Sequence, residues 1–222
     1  MPGSAKHATV SLTLHFHPLS SFCHKALIAL YENDTPFQKN IVNLMDPGEA
    51  AALKALWPCG QFPVLQDGAR TIPESSVIIE HLDLHHPGKT RFIPADPKRA
   101  LEVRLKDRFY DLQLHLHMQK VVGDRLRPDG KKDPHGVEDA RRRLTIALDV
   151  IDAEMAGKTW AVGDDFTMAD CAAAPPLFYI NKVFPLADTH RNAAAYLRRL
   201  LERPSYAQAI AEATPYFSMF PI

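Results

Sequence analysis

The sequence predicts an α/β domain followed by an all-helical one, and three observations carry that prediction. Across residues 11–86, short runs rich in β-branched and aromatic residues alternate with helical patterns. Beyond residue 98 the strand signals fade and apolar residues recur at three- and four-residue steps. Between the two lies a stretch punctuated by prolines, from His86-Pro-Gly-Lys to Ile93-Pro-Ala-Asp-Pro97, which has the character of a linker. The expected organisation is therefore a first domain at residues 1–86, a linker at 87–98 and a helical domain at 99–222.

Within the first domain, Ser11-Leu-Thr-Leu-His-Phe-His17 alternates apolar and polar residues and reads as a half-buried strand that Pro18 stops. Residues 20–31 have the composition of a helix, with a serine placed to cap it. A second strand at 37–44 and a helix at 47–56 follow. Strand, helix, strand at this spacing is a βαβ unit with parallel strands and a right-handed crossover. Asp67-Gly68 between two apolar runs marks an antiparallel hairpin over residues 62–72. Pro63, which has no N–H for a sheet ladder, is expected at the first position of its strand. A helix over 74–83 completes a βαβ, helix, ββ, helix order.

In the second domain a long helix over 99–122 shows two stripes. Leu101, Leu105, Phe109, Leu112 and Leu116 form one, and Val103, Tyr110, Leu114, His117 and Val121 form the other. A helix with two apolar faces has two surfaces to cover: its own bundle, and a subunit interface or ligand cavity. Further helices are expected near 137–156, 168–182, 192–202 and 205–213.

Composition narrows the function classes. The 222 residues carry 26 Lys+Arg against 26 Asp+Glu, so no basic footprint points to nucleic acid or an anionic membrane. A hydrophobic share of 46% and a charged share of 23% are those of a folded chain. No apolar run reaches the roughly 18–20 residues of a spanning helix, and residues 1–9 read as a polar lead-in without a leader's charged-then-apolar pattern. Three cysteines, Cys23, Cys59 and Cys171, lie far apart without a Cys-x-x-Cys pair. That excludes a disulfide scaffold and a four-cysteine zinc site, and favours a reducing, cytoplasmic setting.

Four segments together carry a family resemblance. They are Pro18-Leu-Ser-Ser-Phe-Cys-His-Lys-Ala-Leu-Ile-Ala-Leu30, Gly60-Gln-Phe-Pro-Val-Leu-Gln-Asp-Gly68, Pro73-Glu-Ser-Ser-Val-Ile-Ile-Glu-His-Leu82 and Gly163-Asp-Asp-Phe-Thr-Met-Ala-Asp170. In this order and spacing the chain resembles a cytosolic glutathione transferase of the bacterial serine type, with a theta/zeta-like opening. The resemblance implies a thioredoxin-like first domain that binds glutathione, an all-helical second domain that forms the second-substrate pocket, a homodimer and a role in detoxification. It also implies conjugation of the glutathione thiolate to a hydrophobic electrophile. Isomerisation, dehalogenation and disulfide reduction through Cys23 use related chemistry, and a non-catalytic binding module shares the fold.

Residue by residue, the resemblance makes Ser20 the hydrogen-bond donor to the glutathione sulfur, on the strength of a Ser-x-Phe-x-x-Lys spacing; read alone, Ser20 reads first as an N-cap. Ser21 and Cys23 compete for the role, since sliding the turn by one residue exchanges the serines. Lowering a thiol pKa by about two units from about 8.5 takes ~2.7 kcal/mol. One hydrogen bond to a charged group supplies ~1.5–3 kcal/mol, and a helix N-terminus ~0.3–1 kcal/mol, so no general base is needed. Gln61 is implied at the glycine end of glutathione, and Phe62-Pro63, with a cis peptide, beside the cysteinyl unit. Trp57-Pro58 departs from the family's usual Asn-Pro. Glu74 and Ser75 suit a first helical turn, and the resemblance gives them the γ-glutamyl ammonium and carboxylate. Thr167 and Asp170 read as a capping box. Tyr110, Leu114, His117 and Phe217 are the expected pocket walls. Among eleven histidines, His115 and His117 point apart, His85 and His86 are adjacent, and the His81–His85 pair lies at a helix rim without a closed ligand set, so no metal is expected.

Overall fold

A computed structural model describes residues 12–221; the polar lead-in at 1–9 lies outside the described residues. In β1 (Leu12–Phe16) the period-two alternation sends Leu12, Leu14 and Phe16 into the core. Helix α1 (Ser21–Glu32) crosses over to β2 (Gln38–Ile41), which pairs parallel to β1, Leu14 lying opposite Lys39. After α2 (Pro47–Leu56), capped by the Asp46 carboxylate on the Gly48 and Glu49 N–H groups, the chain forms the antiparallel pair β3 (Val64–Asp67) and β4 (Arg70–Pro73). The sheet order is β2-β1-β3-β4. Gly68 takes a φ of 56°, the left-handed conformation that this two-residue turn requires. Pro63 falls just ahead of the first paired residue, Val64, as its missing N–H dictates.

Helix α3 (Ser75–His85) ends the α/β half, and residues 86–96 hold neither helix nor strand. The long helix expected at 99–122 is one rod with an irregular centre. Regular α4 (Pro97–Phe109) passes into a π-helical turn at Tyr110–His115 and back into α5 (Leu116–Arg125). The Leu116 N–H reaches the Asp111 carbonyl, a five-residue step. Its two stripes have different fates. Val103, Tyr110, Leu114 and Val121 are buried in the bundle, whereas Leu101, at 69% exposure, Leu105, at 63%, Leu112 and Leu116 are exposed on this chain. Helices α6 (Pro134–Glu154), α7 (Met168–Val183), α8 (Arg191–Glu202) and α9 (Pro204–Ala213) complete the bundle, followed by a 3-10 turn at Thr214–Met219. Asp170 reaches back to accept from the Thr167 N–H and hydroxyl, and also holds the Ala161 N–H and the Tyr196 hydroxyl.

Helix α1 is buried along most of its length, packed against α3 and the bundle helices α7 and α9, as a helix apolar around most of its circumference must be. Its one cation, Lys25, is 0% exposed. The ammonium lies 2.6 Å from the Asp107 and 2.7 Å from the Asp111 carboxylate, both on the long rod, and donates to the Ser76 hydroxyl of α3 at 2.8 Å. Ser76 in turn donates to Asp107 at 2.8 Å. Burial raises the Asp111 carboxyl above the usual range, and the Lys25 charge opposes that rise. Removing the cation strands two carboxylates in the interior, so Lys25→Met is expected to cost about 3–5 kcal/mol in denaturant titrations at neutral pH. Stranded carboxylates bind protons more readily folded than unfolded. Their proton-linked stability is present at acid pH and lost as pH rises, so the deficit should shrink from about pH 7 to about pH 5.

Candidate functional site

The turn between β1 and α1 is fixed from three directions. The Ser20 N–H bonds the His17 carbonyl at 3.0 Å. His24 is fully buried, and burial lowers its pKa to about 4, so it is neutral. Its Nε2 lies 2.6 Å from the Pro18 carbonyl; a carbonyl only accepts, so Nε2 carries the proton. From α7, the Tyr179 hydroxyl donates to the Leu19 carbonyl at 2.6 Å. These clamps present Ser20 at the mouth of α1. Its side chain accepts from the Cys23 N–H at 3.4 Å, longer than an ordinary N–H···O bond. Its hydroxyl also faces the Cys23 sulfur, and a hydrogen bond donated there partly opposes the rise that burial imposes on that thiol.

The neighbouring candidates are differently engaged. Ser21 is buried and shares a 2.5 Å hydrogen bond with the His115 imidazole, on which Phe22 stacks with ring centroids 3.7 Å apart. The Cys23 thiol, far from being activated by its first-turn position, is fully buried, and burial pushes its pKa up to about 12. Burial also pushes up Cys171.

On the facing side, the Phe62–Pro63 peptide is cis. Glu74, the N-cap of α3, has φ 69° and ψ 117°, a conformation costing a non-glycine residue ~1–3 kcal/mol. Ser75 follows, buried, as the first residue of α3. Ser20, Gln61, Phe62, Pro63, Glu74 and Ser75 all line one cavity of about 380 Å³, the size range of small-molecule sites. Trp57 adds to this wall, and Arg108, Asp111, Leu112, Leu116 and Gln119 close the side facing the helical rod. A second, more apolar groove of about 350 Å³ shares Ser20 and Gln119 with the first and is walled by Met118, Val122, Tyr179, Met219 and Phe220.

The expected pocket walls need correction. Tyr110 and Leu114 are 1% and 0% exposed and lie in the bundle core, Tyr110 beside Asp170 and Tyr196. His117, half-buried with its pKa lowered by burial, lines neither cavity. Phe217 leans on Phe178, with the Lys182 ammonium over its ring, while the residues just after it reach the groove. The reason is the orientation of the rod. The stripe holding Tyr110 and Leu114 covers the bundle, and Leu112 and Leu116 of the other stripe face the cavity. Sequence reasoning missed His24, Tyr179, Arg108 and Asp111. Asp107 and Asp111, one turn apart, and a lysine inside the apolar run of α1 were the available signal for the ion cluster.

Of the three cysteines only Cys59 is exposed, and none is in a disulfide. Thiol counting with an aromatic disulfide reagent should therefore find a single fast-reacting group in the native protein and all three after denaturation. Prompt native labelling of Cys23 would contradict this burial.

Residues 14–90 match the model of the glutathione S-transferase N-terminal domain, and residues 109–204 match that of the C-terminal domain. A stringent starvation protein A homolog from Coxiella burnetii is 28% identical over 211 residues, covering 90% of this chain and 92% of that one. A glutathione S-transferase from Hyoscyamus muticus is 26% identical over 212 residues, covering 90% and 98%. A glutathione S-transferase from Methylobacterium radiotolerans, solved in complex with glutathione sulfonate, superposes with a TM-score of 0.78 at 27% identity, covering 90% of this chain and 94% of that one. The architecture is thus a thioredoxin-like domain joined to an all-α domain, and the chain belongs to the glutathione S-transferase family of enzymes.

Proposed function

We propose that this protein is a serine-type glutathione transferase that conjugates glutathione to hydrophobic electrophiles. One observation carries the reading: Ser20, Gln61, Phe62, Pro63, Glu74 and Ser75 share a single cavity, and Ser20 also borders the adjoining apolar groove. The tripeptide lies along the first cavity. Its γ-glutamyl end meets Ser75, Glu74 and the free N–H groups that open α3, a site suited to a carboxylate beside an ammonium. Its glycine end meets Gln61, and its sulfur lies at Ser20. The electrophile enters the groove beside Met118 and Phe220, whose soft, adaptable side chains suit varied apolar molecules.

Ser20 acts as a donor. Its hydroxyl and the N-terminus of α1 stabilise the thiolate by hydrogen bonding and dipole, without taking its proton. The thiol proton passes to solvent water as glutathione binds. The sulfur then forms a bond to an electrophilic carbon, and the leaving group departs with its electron pair or, in an addition, the adjacent atom takes up the charge and is protonated by water. The rate gain comes from holding an ionised sulfur next to its target. The exposed Leu101 and Leu105, which line no cavity, support a homodimer through the rod. The three free thiols fit a reducing, cytoplasmic setting, and detoxification is the proposed role.

An absorbance titration of the bound thiolate tests the assignment. In the wild type the thiol pKa is expected well below that of free glutathione, and in Ser20→Ala it is expected to rise by about one to two units. An unmoved titration in Ser20→Ala with a shift in Ser21→Ala would transfer the role by one residue. Binding of glutathione without turnover of any electrophile would instead favour a non-catalytic binding module.

A further inference from the structure

At the opposite end of α3 from Glu74 and Ser75, three donor atoms of metal-ligating type converge. His81 Nε2 lies 2.9 Å from Asp67 Oδ2, and His86 Nε2 lies 2.8 Å from the same oxygen. All three ligand atoms fall within 4.8 Å of one another. His81 is on the last turns of α3, His86 is its C-cap, and Asp67 ends β3 at the hairpin turn. Along α3, His81 stands ~9 Å and His86 ~16 Å from Ser75, which lines the candidate catalytic cavity.

Hydrogen bonding alone explains the arrangement only if both rings carry their proton on Nε2, because the carboxylate oxygen only accepts. One divalent cation can replace both protons. A tetrahedral zinc ion with bonds of ~2.0–2.1 Å holds its ligand atoms ~3.3 Å apart. The observed contacts of 2.8 and 2.9 Å are about half an ångström short of that, a gap closed by small outward movements of the rings. Two imidazoles and one carboxylate suit zinc and similar first-row ions, whereas calcium and magnesium prefer oxygen alone. A further imidazole stands by: the exposed His85 ring lies 4.6 Å from that of His81, and the i,i+4 relation is the one by which a helix offers two histidines to one ion.

We propose that Asp67, His81 and His86 form a binding site for a zinc-class divalent cation that ties the β3–β4 turn to the C-terminal end of α3. The expectation of no metal considered histidine pairs along one helix; here a third candidate ligand comes from the hairpin, 14 residues before His81.

Isothermal titration of the full chain without an affinity tag tests this, using zinc chloride and no glutathione, whose own thiol binds zinc. The wild type is expected to bind a single ion at this site. His81→Gln/His86→Gln and, separately, Asp67→Asn are expected to lose at least roughly tenfold in affinity, the least that loss of even an outer metal partner costs. Cys59→Ser, which removes the exposed thiol, should leave the binding intact. Zinc should also raise the thermal midpoint of the wild type and not of the double variant. Circular dichroism checks that each variant folds, and Asp67→Asn decides the matter should the double variant fail to. Equal zinc affinity in the wild type and a folded ligand variant, or loss of binding in Cys59→Ser, would overturn the site.

Discussion

The contact between Lys25 and the two aspartates of the long rod determines how the halves of this protein meet. A buried ammonium is tolerated only when its charge and its donors are satisfied. Here the partners come from the other half: Asp107 and Asp111 at 2.6 and 2.7 Å, with Ser76 of α3 as the third acceptor. The cluster therefore fixes α1, α3 and the rod relative to one another, and those are the elements that carry Ser20, Ser75 and the far wall of the cavity. A shift of the rod would break ion pairs in a region from which water is excluded, where their loss is most costly. Apolar packing between α1 and the bundle helices supplies area, but area alone is tolerant of sliding. The charged cluster supplies the register.

Because the clamp sits so near the cavity, it also sets the cavity's character. Asp111 belongs to both: one oxygen meets Lys25, and the residue lines the cavity wall. It occupies the π-helical turn, where the Leu116 N–H bonds the Asp111 carbonyl five residues back. Such turns shift the phase of the side chains that follow. Asp111 thus turns inward to α1 while Leu112 and Leu116 border the cavity and Leu114 and Met118 enter the bundle. The same rod serves packing, ion pairing and the site because its phase changes in the middle.

That phase change explains what the sequence made legible and what it did not. The strands, the parallel βαβ unit, the Asp67-Gly68 hairpin and the helices of the second half follow from periodicity and turn chemistry, which are local. Ser20, Glu74 and Ser75 were legible as residues of helix N-termini, because strand-to-helix junctions leave free N–H groups that small polar and acidic residues satisfy; their roles toward glutathione came only from the resemblance. The pocket walls were not, because a uniform 3.6-residue count through residues 110–115 cannot say which of two apolar stripes covers the core. His24 and Tyr179, which clamp the turn before α1, were invisible for another reason. Each makes one hydrogen bond to a backbone carbonyl, and nothing in the order of residues announces a partner that lies 160 positions away, as Tyr179 does from Leu19.

The distribution of burial also argues about where a nucleophile would come from. At the mouth of α1 the chain has one thiol and two hydroxyls. Burial pushes the thiol of Cys23 up to about 12, so at neutral pH it is protonated and walled in. Ser21 is committed to His115, which burial keeps neutral. His24 donates its Nε2 proton to the Pro18 carbonyl, and its buried Nδ1 has no hydrogen bond to Ser20, so it is not placed as a base for that hydroxyl. What remains is a single serine hydroxyl, unassisted and exposed to the cavity, which can donate a hydrogen bond but has no partner to deprotonate it. A site so equipped does not generate an anion from its own residues. In the proposed reaction the anion arrives with the ligand as a thiolate, and the reactivity belongs to the molecule the chain holds.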